Sequence, residues 1–225
     1  MREKKLPPQI IPILMIGFNR KEYTAKALKA LRRCEGIEIY FIDNGSTPDE
    51  FGNALPFNGT YEIESKVAPM NLIENRTNIG IAGAMNQFLQ LTSNSFIVGK
   101  VDNDTIVPGN FIEKMLPHMQ KADIVQAKHK LIAASKVGTF DEWVSKMPED
   151  GALRYNHFVG GSGILFKRQL VNHIPETESK IMGWRTFQRE HPELKKAFAL
   201  DCEIELLDEH GYEDYPEYYK QTGRV

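Results

Sequence analysis

The feature that most constrains this chain is its first apolar run. Between positions 9 and 18, Ile10, Ile11, Ile13, Leu14, Met15 and Ile16 follow one another almost without a polar break. A run this short and continuous suits a strand covered on both faces, as in the middle of a parallel sheet. Asn19 and Arg20 end it. Positions 22–33 then place Ala27, Leu28 and Leu31 on one helical face. A second apolar run at 37–42 closes on Asp43-Asn44-Gly45-Ser46, a cluster of turn formers. Strand, helix and strand within about 35 residues make a βαβ unit with a right-handed crossover. The class that follows is α/β.

The same alternation continues. A short strand is predicted over 71–74 and a helix over 80–91, with Ile81, Met85, Phe88 and Leu89 on one side. An apolar strand follows at 95–101, then a helix opened by Pro108 and running to about 119, then a strand at 123–127. Positions 52–69 have no clear period and read as a loop. Beyond 131 the pattern loosens: 137–153 and 181–199 mix aromatics with charges, and 159–167 reads as a glycine-led strand. Positions 200–210 predict a helix, with Ile204, Leu207 and Leu206 as candidate inward residues and Gly211 as its stop. One continuous domain over 1–225 is expected.

Composition narrows the function classes. With 225 residues and a net charge of -2, the chain has no basic footprint, so nucleic acid is not an expected partner. Only Cys34 and Cys202 are available as thiols, too few for a disulfide-stapled fold of this size. No apolar run approaches the roughly 20 residues of a membrane span. A soluble, cytoplasmic protein with free thiols is therefore expected.

Asp102-Asn103-Asp104 follows directly on the strand predicted at 95–101. In an open sheet of parallel strands, ligands bind outside the carboxyl ends of the strands. Two hard carboxylates there suit Mg²⁺ or Mn²⁺, which completes its shell with water and substrate phosphate. Asp and Asn are also ordinary strand terminators, so the spacing by itself leaves a plain turn open.

Four blocks together carry a family resemblance. They are IPILMIGFNR; IEIYFIDNGSTPDE; ENRTNIGIAGAMNQ followed by VGKVDNDTIVPG; and VGGSGILFKRQLV followed by ALDCEIELLDEHGY. In order and spacing, over roughly 10–213, the chain resembles the inverting glycosyltransferases of family 2, which have the GT-A fold: a mostly parallel, twisted sheet flanked by helices. The resemblance implies a nucleotide-sugar-binding half at about 9–130 and an acceptor-binding half at about 131–225. It implies a sugar donor on a nucleoside diphosphate, UDP-sugar by preference, and Mn²⁺ or Mg²⁺ as the cofactor. The acceptor would be a hydroxyl on a glycan, a lipid-linked molecule or another compound.

The resemblance also distributes roles. Gly17, Phe18, Asn19 and Arg20 would lie by the nucleoside, and Asp43 would accept hydrogen bonds from base or ribose. Arg76, Asn78, Gly80 and Gly83 would approach base and diphosphate, where glycine permits close backbone contact and a helix start favours phosphate. Asp102 would meet ribose or sugar hydroxyls beside Asn103, and Asp104 would hold the metal, with Asp102 as the second metal carboxylate. Gly161, Ser162 and Gly163 would lie beneath sugar and acceptor.

Inverting transfer needs a base for the acceptor hydroxyl. The resemblance implies Asp201 at the start of the predicted helix, although Leu200 stands where the family carries an acidic residue; Glu203 is the fallback. A third metal ligand could come from His157, His173, His191 or His210, none of which has a matching context. Trp184 could stack on an acceptor sugar or serve as core, and Lys128, Lys130 and Lys136 read as a solvated face. A sugar-nucleotide nucleotidyltransferase would need a glycine-rich loop after the first strand, and Gly17-Phe18-Asn19-Arg20-Lys21 holds one glycine. A non-catalytic carbohydrate- or nucleotide-binding relative would lack a metal carboxylate or base, and candidates for each are present.

Overall fold

The computed structural model describes residues 10–48, 68–129, 140–177 and 183–207. The predicted loop over 52–69 falls almost wholly outside them, as do Lys130, Lys136, His210 and Gly211. The first βαβ unit is as expected: β1 Ile11–Gly17, α1 Lys21–Leu31 and β2 Ile37–Asp43, with β1 and β2 parallel and Gly17 opposite Asp43. Next come β3 Met70–Glu74, α2 Gly80–Leu91 and β4 Ile97–Lys100. β3 adds to β2 and β4 to the other side of β1, all parallel. The sequence order therefore reverses beside β1, and in such sheets a crevice opens at the reversal.

Past β4 come β5 Thr105–Ile106, α3 Phe111–Met115 with a 3₁₀ turn at Leu116–Gln120, and β6 Ile124–His129. The predicted helix from Pro108 starts three residues late, because Pro108 and Gly109 are spent on a turn in which Phe111 N–H donates to the Pro108 carbonyl at 3.0 Å. α4 Phe140–Val144, β7 Glu149–Asp150, β8 Leu153–Tyr155, β9 Ile164–Lys167, α5 Gly183–Glu190 and β10 Lys196–Leu206 complete the described elements. β9 is shorter than predicted, since Gly163 turns the chain with φ +62° just before it.

The sheet runs β3-β2-β1-β4-β9-β6-β10-β8-β7, with β5 paired to β10. It is mixed rather than mostly parallel: β9 lies antiparallel between β4 and β6, and β8 lies antiparallel to β10. Its two faces are both covered. Ala27, Leu28 and Leu31 of α1, with Phe111 and Met115 of α3, pack on one face. Met85 and Phe88 of α2, Phe140 of α4, and Trp184 and Phe187 of α5 pack on the other.

The predicted helix over 200–210 is overturned: residues 196–206 form one long strand. From Cys202 onward, buried Cys202 and Ile204 alternate with exposed Glu203 and Glu205, the period-2 pattern of a strand, while exposed Asp201 falls within the register shift that precedes them. β10 finds hydrogen-bonding partners in β6, β8 and β5, with a register shift between Ala199 and Glu203. Pairing with three neighbours outweighs a helical pattern that only three apolar residues support.

Both cysteines are free and buried in the core under α1 and α3. Burial pushes the Cys34 thiol up to about 11 and the Cys202 thiol up to about 12. Since the thiolate is the reactive species, neither should react with a thiol reagent at pH 8 in the folded protein. Two equivalents should react once denaturant is added, and fast labelling of either cysteine in the native state would show that this core is open.

Candidate functional site

The carboxyl ends of β1, β2, β4, β6 and β10 and the amino end of β9 meet at one edge of the sheet. Gly17 must be glycine there, because a Cβ would sit 2.6 Å from Phe41 Cζ. Asn19 takes a left-handed conformation at φ +50°, which asparagine tolerates better than most residues. Its amide donates to Ser46 Oγ at 3.0 Å, and its own Oδ1 accepts Thr47 N–H at 2.7 Å, so the loops after β1 and β2 are tied together. Phe18 lies half-buried beside them.

Asp43 Oδ1 accepts Ser46 N–H at 3.1 Å and Ser46 Oγ–H at 2.5 Å, while Oδ2 takes no hydrogen bond from the described residues. The next residue, Asn44, is buried and organises the approach to α2. Asn44 Nδ2 donates to Asn78 Oδ1 at 3.0 Å, and Oδ1 accepts from Asn75 Nδ2 and from Ile79 N–H. Asn78 Oδ1 in turn accepts Gly80 N–H at 2.9 Å. The start of α2 is therefore already capped in part by Asn44 and Asn78, so Asn78 shapes this loop. Gly80 has φ +77°, and Gly83 packs on the Ile79 side chain. Arg76 is exposed beside them.

The loop at 102–104 is built from buried charge. Arg20, 3% exposed, holds Asp104 Oδ2 at 3.0 Å and donates from Nη2 to Asn103 Oδ1 at 2.9 Å. Asn103 Nδ2 donates to Thr24 Oγ1, whose hydroxyl returns to the Arg20 carbonyl. Lys100, 2% exposed, is ion-paired with Asp102 and donates to the Gly161 carbonyl at 2.7 Å. Asp102 N–H donates to Ser162 Oγ at 2.9 Å, and Ser162 Oγ lies 2.7 Å from Thr105 Oγ1. Gly161 and Ser162 thus sit directly against the acidic loop.

Beneath them, Gln126 Oε1 accepts Gly160 N–H and Gln126 Nε2 donates to the Ser162 carbonyl at 3.2 Å. Gln126 Nε2 also lies 2.6 Å from His129 Nε2. That orientation makes His129 Nε2 the acceptor, so Nδ1 carries the proton. His129 Nδ1 is buried with no hydrogen-bond partner among the described residues. Burial lowers the pKa of His129, and the charge of Asp102 opposes this only in part.

The remaining candidates are placed by packing and ion pairs. Trp184 is core: its Nε1 donates to the Gly160 carbonyl at 3.0 Å, and its ring packs against Phe166 and Phe187. It is 6% exposed, which leaves its face unavailable for a sugar. Asp201 stands in β10 rather than at a helix start, and its carboxylate meets His118 Nε2 at 2.8 Å on the α3 side of the sheet. Glu203 lies on the opposite face, 3.9 Å from Lys128, which also pairs with Asp141 of α4. Lys128 is thus an ion-pair partner and not merely a solvated charge. His157 and His173 are exposed, and His191 pairs with Glu193 and packs on Phe187.

The residues at 102–104 fit a divalent ion poorly as they stand. Each carboxylate already holds a cation of the chain, and both cations are almost wholly buried. Among the described residues, no group of three or more His, Cys, Asp or Glu side chains is arranged to ligate a metal.

Lys100, Asn44, Thr24, Gln126 and His129 were not singled out by the sequence reading. Lys100 alone carried a signal there: a lysine inside an apolar strand run is a buried cation that demands a partner.

A doubly covered α/β sheet whose strand order reverses beside β1, with Asp43 and the 102–104 loop at the carboxyl edge, is the architecture in which α/β proteins place their ligand sites. The sequence pattern of "Glycosyl transferase family 2" matches residues 13–182, and the chain belongs to that family. The match ends before both α5 and β10. No curated protein matches the chain. Among solved structures, S. aureus TarS 1-349 superposes with TM-score 0.62 at 15% identity, over 91% of this chain and 63% of that one. The same protein in complex with UDP-GlcNAc gives 0.58 at 13%, over 88% and 58%. GalNAc-T7 with UDP, GalNAc and Mn²⁺ gives 0.62 at 10%, over 88% and 43%. These likenesses establish the GT-A fold, and this chain spans less than two thirds of each of those chains. Among the described residues no helix is long and apolar enough to cross a membrane.

The neutral state of His129 makes a prediction. Its folded pKa lies below the ordinary 6.5, so the unfolded chain binds the proton first as pH falls. The stability it contributes is complete above about 6.5 and is lost as pH drops from there through the lowered value. The melting temperature of the wild type should therefore fall more steeply between about pH 7 and pH 5 than that of His129→Gln. Parallel curves would show that His129 does not titrate in this way.

Proposed function

We propose that this chain transfers a sugar from a nucleoside diphosphate, UDP by preference, to an acceptor hydroxyl with inversion. The observation that carries the reading is that Asp43, the loop leading to α2 and the 102–104 loop all stand at the carboxyl ends of adjacent parallel strands, at the edge where the strand order reverses. Asp43 Oδ2 suits a ribose or base donor group, as strand-end carboxylates do in other nucleotide folds. The capped loop from Asn75 to Gly80 holds the approach to the diphosphate rigid, which lowers the entropy cost of binding. Gly161 and Ser162 present backbone and a hydroxyl where the sugar would lie. The glycosyl bond to the diphosphate breaks as the acceptor oxygen attacks the anomeric carbon, and the acceptor proton passes to a base.

Of the two acidic candidates, the placement supports Glu203 over Asp201. Glu203 faces the α4 and α5 side, the side on which Lys100 meets Gly161. Asp201 faces α3 and is committed to His118. Glu203 is also two residues nearer the strand end, about 7 Å along the strand.

Calorimetry should show UDP binding in preference to other nucleoside diphosphates, weakened about tenfold in Asp43→Asn. In a transfer assay with a panel of UDP-sugars and acceptors, Glu203→Gln should lower kcat by about 100-fold or more, while Asp201→Asn stays within a few-fold of wild type. If the Asp201 variant is the inactive one, the assignment of the base reverses. If no nucleoside diphosphate binds, the donor reading falls.

A further inference from the structure

Resting on the donor reading above, we propose that Arg20 and Lys100 are resident counter-cations of the acidic loop, and that the nucleoside diphosphate therefore binds here without a divalent ion. A divalent ion is attracted to Asp-x-Asp because two carboxylates at one point leave uncompensated negative charge. At this edge that charge is already balanced: Asp104 by the Arg20 guanidinium at 3.0 Å and Asp102 by the Lys100 ammonium.

Neither cation is a surface group that solvent could readily take back. Arg20 is buried and is also anchored to Asn103, which is itself held by Thr24. Lys100 lies inside a strand run and is anchored to the Gly161 carbonyl. An incoming ion would have to share carboxylates whose charge is already balanced, and would be repelled by two cations that stay beside it in a low-dielectric setting. That is the opposite of a site poised for metal.

Lys100 also has capacity to spare. An ammonium carries three N–H donors. Asp102 and Gly161 use two, and no third acceptor for Lys100 is present among the described residues. A phosphate oxygen or a sugar hydroxyl brought over Gly161 supplies one. Lys100 would then neutralise the loop and bind the donor from below, the electrostatic part otherwise played by a bound ion.

The test is calorimetric titration of the intact protein with UDP in EDTA and, separately, in millimolar Mn²⁺. The expected result is binding in both, with dissociation constants within about twofold of each other. Binding that needs Mn²⁺, or that tightens about tenfold or more with it, overturns the proposal and leaves the donor site standing. No binding in either condition removes the donor reading itself. Lys100→Met keeps most of the aliphatic stem and deletes the cation. It should weaken UDP in EDTA by about tenfold or more and free Asp102, so that Mn²⁺ now restores the affinity. Loss of the free Mn²⁺ electron paramagnetic resonance signal should appear with the variant and not with the wild type. If the wild type alone depletes that signal at the same protein concentration, the counter-cation role is wrong.

Discussion

The ion pair between Arg20 and Asp104 is the contact on which the candidate site depends. It links the residue before α1 to the loop after β4, and through Asn103 and Thr24 it locks the first turn of the helix to the same loop. Both partners are largely withdrawn from water, so removing one would leave a buried charge without compensation, a loss of about 3–5 kcal/mol in comparable pairs. The pair acts less as a source of net stability than as a specification of geometry. With it in place, the loops after β1 and β4 are held against each other in one arrangement.

The second half of the sheet completes the edge by reversing direction. β9 enters antiparallel between β4 and β6, so its amino end rather than its carboxyl end reaches the crevice. Gly160, Gly161, Ser162 and Gly163 therefore arrive beside Asp102, although they lie some 60 positions further along the chain. Glycine is required at 163 by the positive φ and by Ile204, whose Cδ1 would lie 2.4 Å from an added Cβ. Gln126 and Trp184 hold this segment by its backbone from below. The floor of the crevice is thus main chain supported by buried amide and indole groups.

How much of this could be read in advance varied with the number of patterns each segment satisfied. Positions 80–91 fit one period only, and α2 has the predicted limits. Positions 200–210 fit two. Leu200, Ile204 and Leu207 recur at helical spacing, while Cys202, Ile204 and Leu206 alternate, and the availability of β6, β8 and β5 as partners decided for the strand. The acidic loop, Asp43 and the glycines at 161 and 163 were legible because short spacings and strand ends mark them. Their partners were not. Arg20 meets Asn103 from 83 positions away, and nothing local in either segment announces the other. Asp201 was set on a helix and Trp184 left open between sugar contact and core for the same reason, since which face a side chain joins is settled by packing between distant elements.

β10 has a mechanical consequence. This one strand pairs with β8 at its start, with β6 along its length and with β5 at its end, and Leu207 N–H just beyond it donates to the Asp104 carbonyl at 2.7 Å. It is a tie-rod running from the far hairpin to the acidic loop. Tension or displacement at the β7–β8 end is transmitted along a hydrogen-bonded backbone to the main chain of Asp104, so the two ends of the sheet share a single rigid frame.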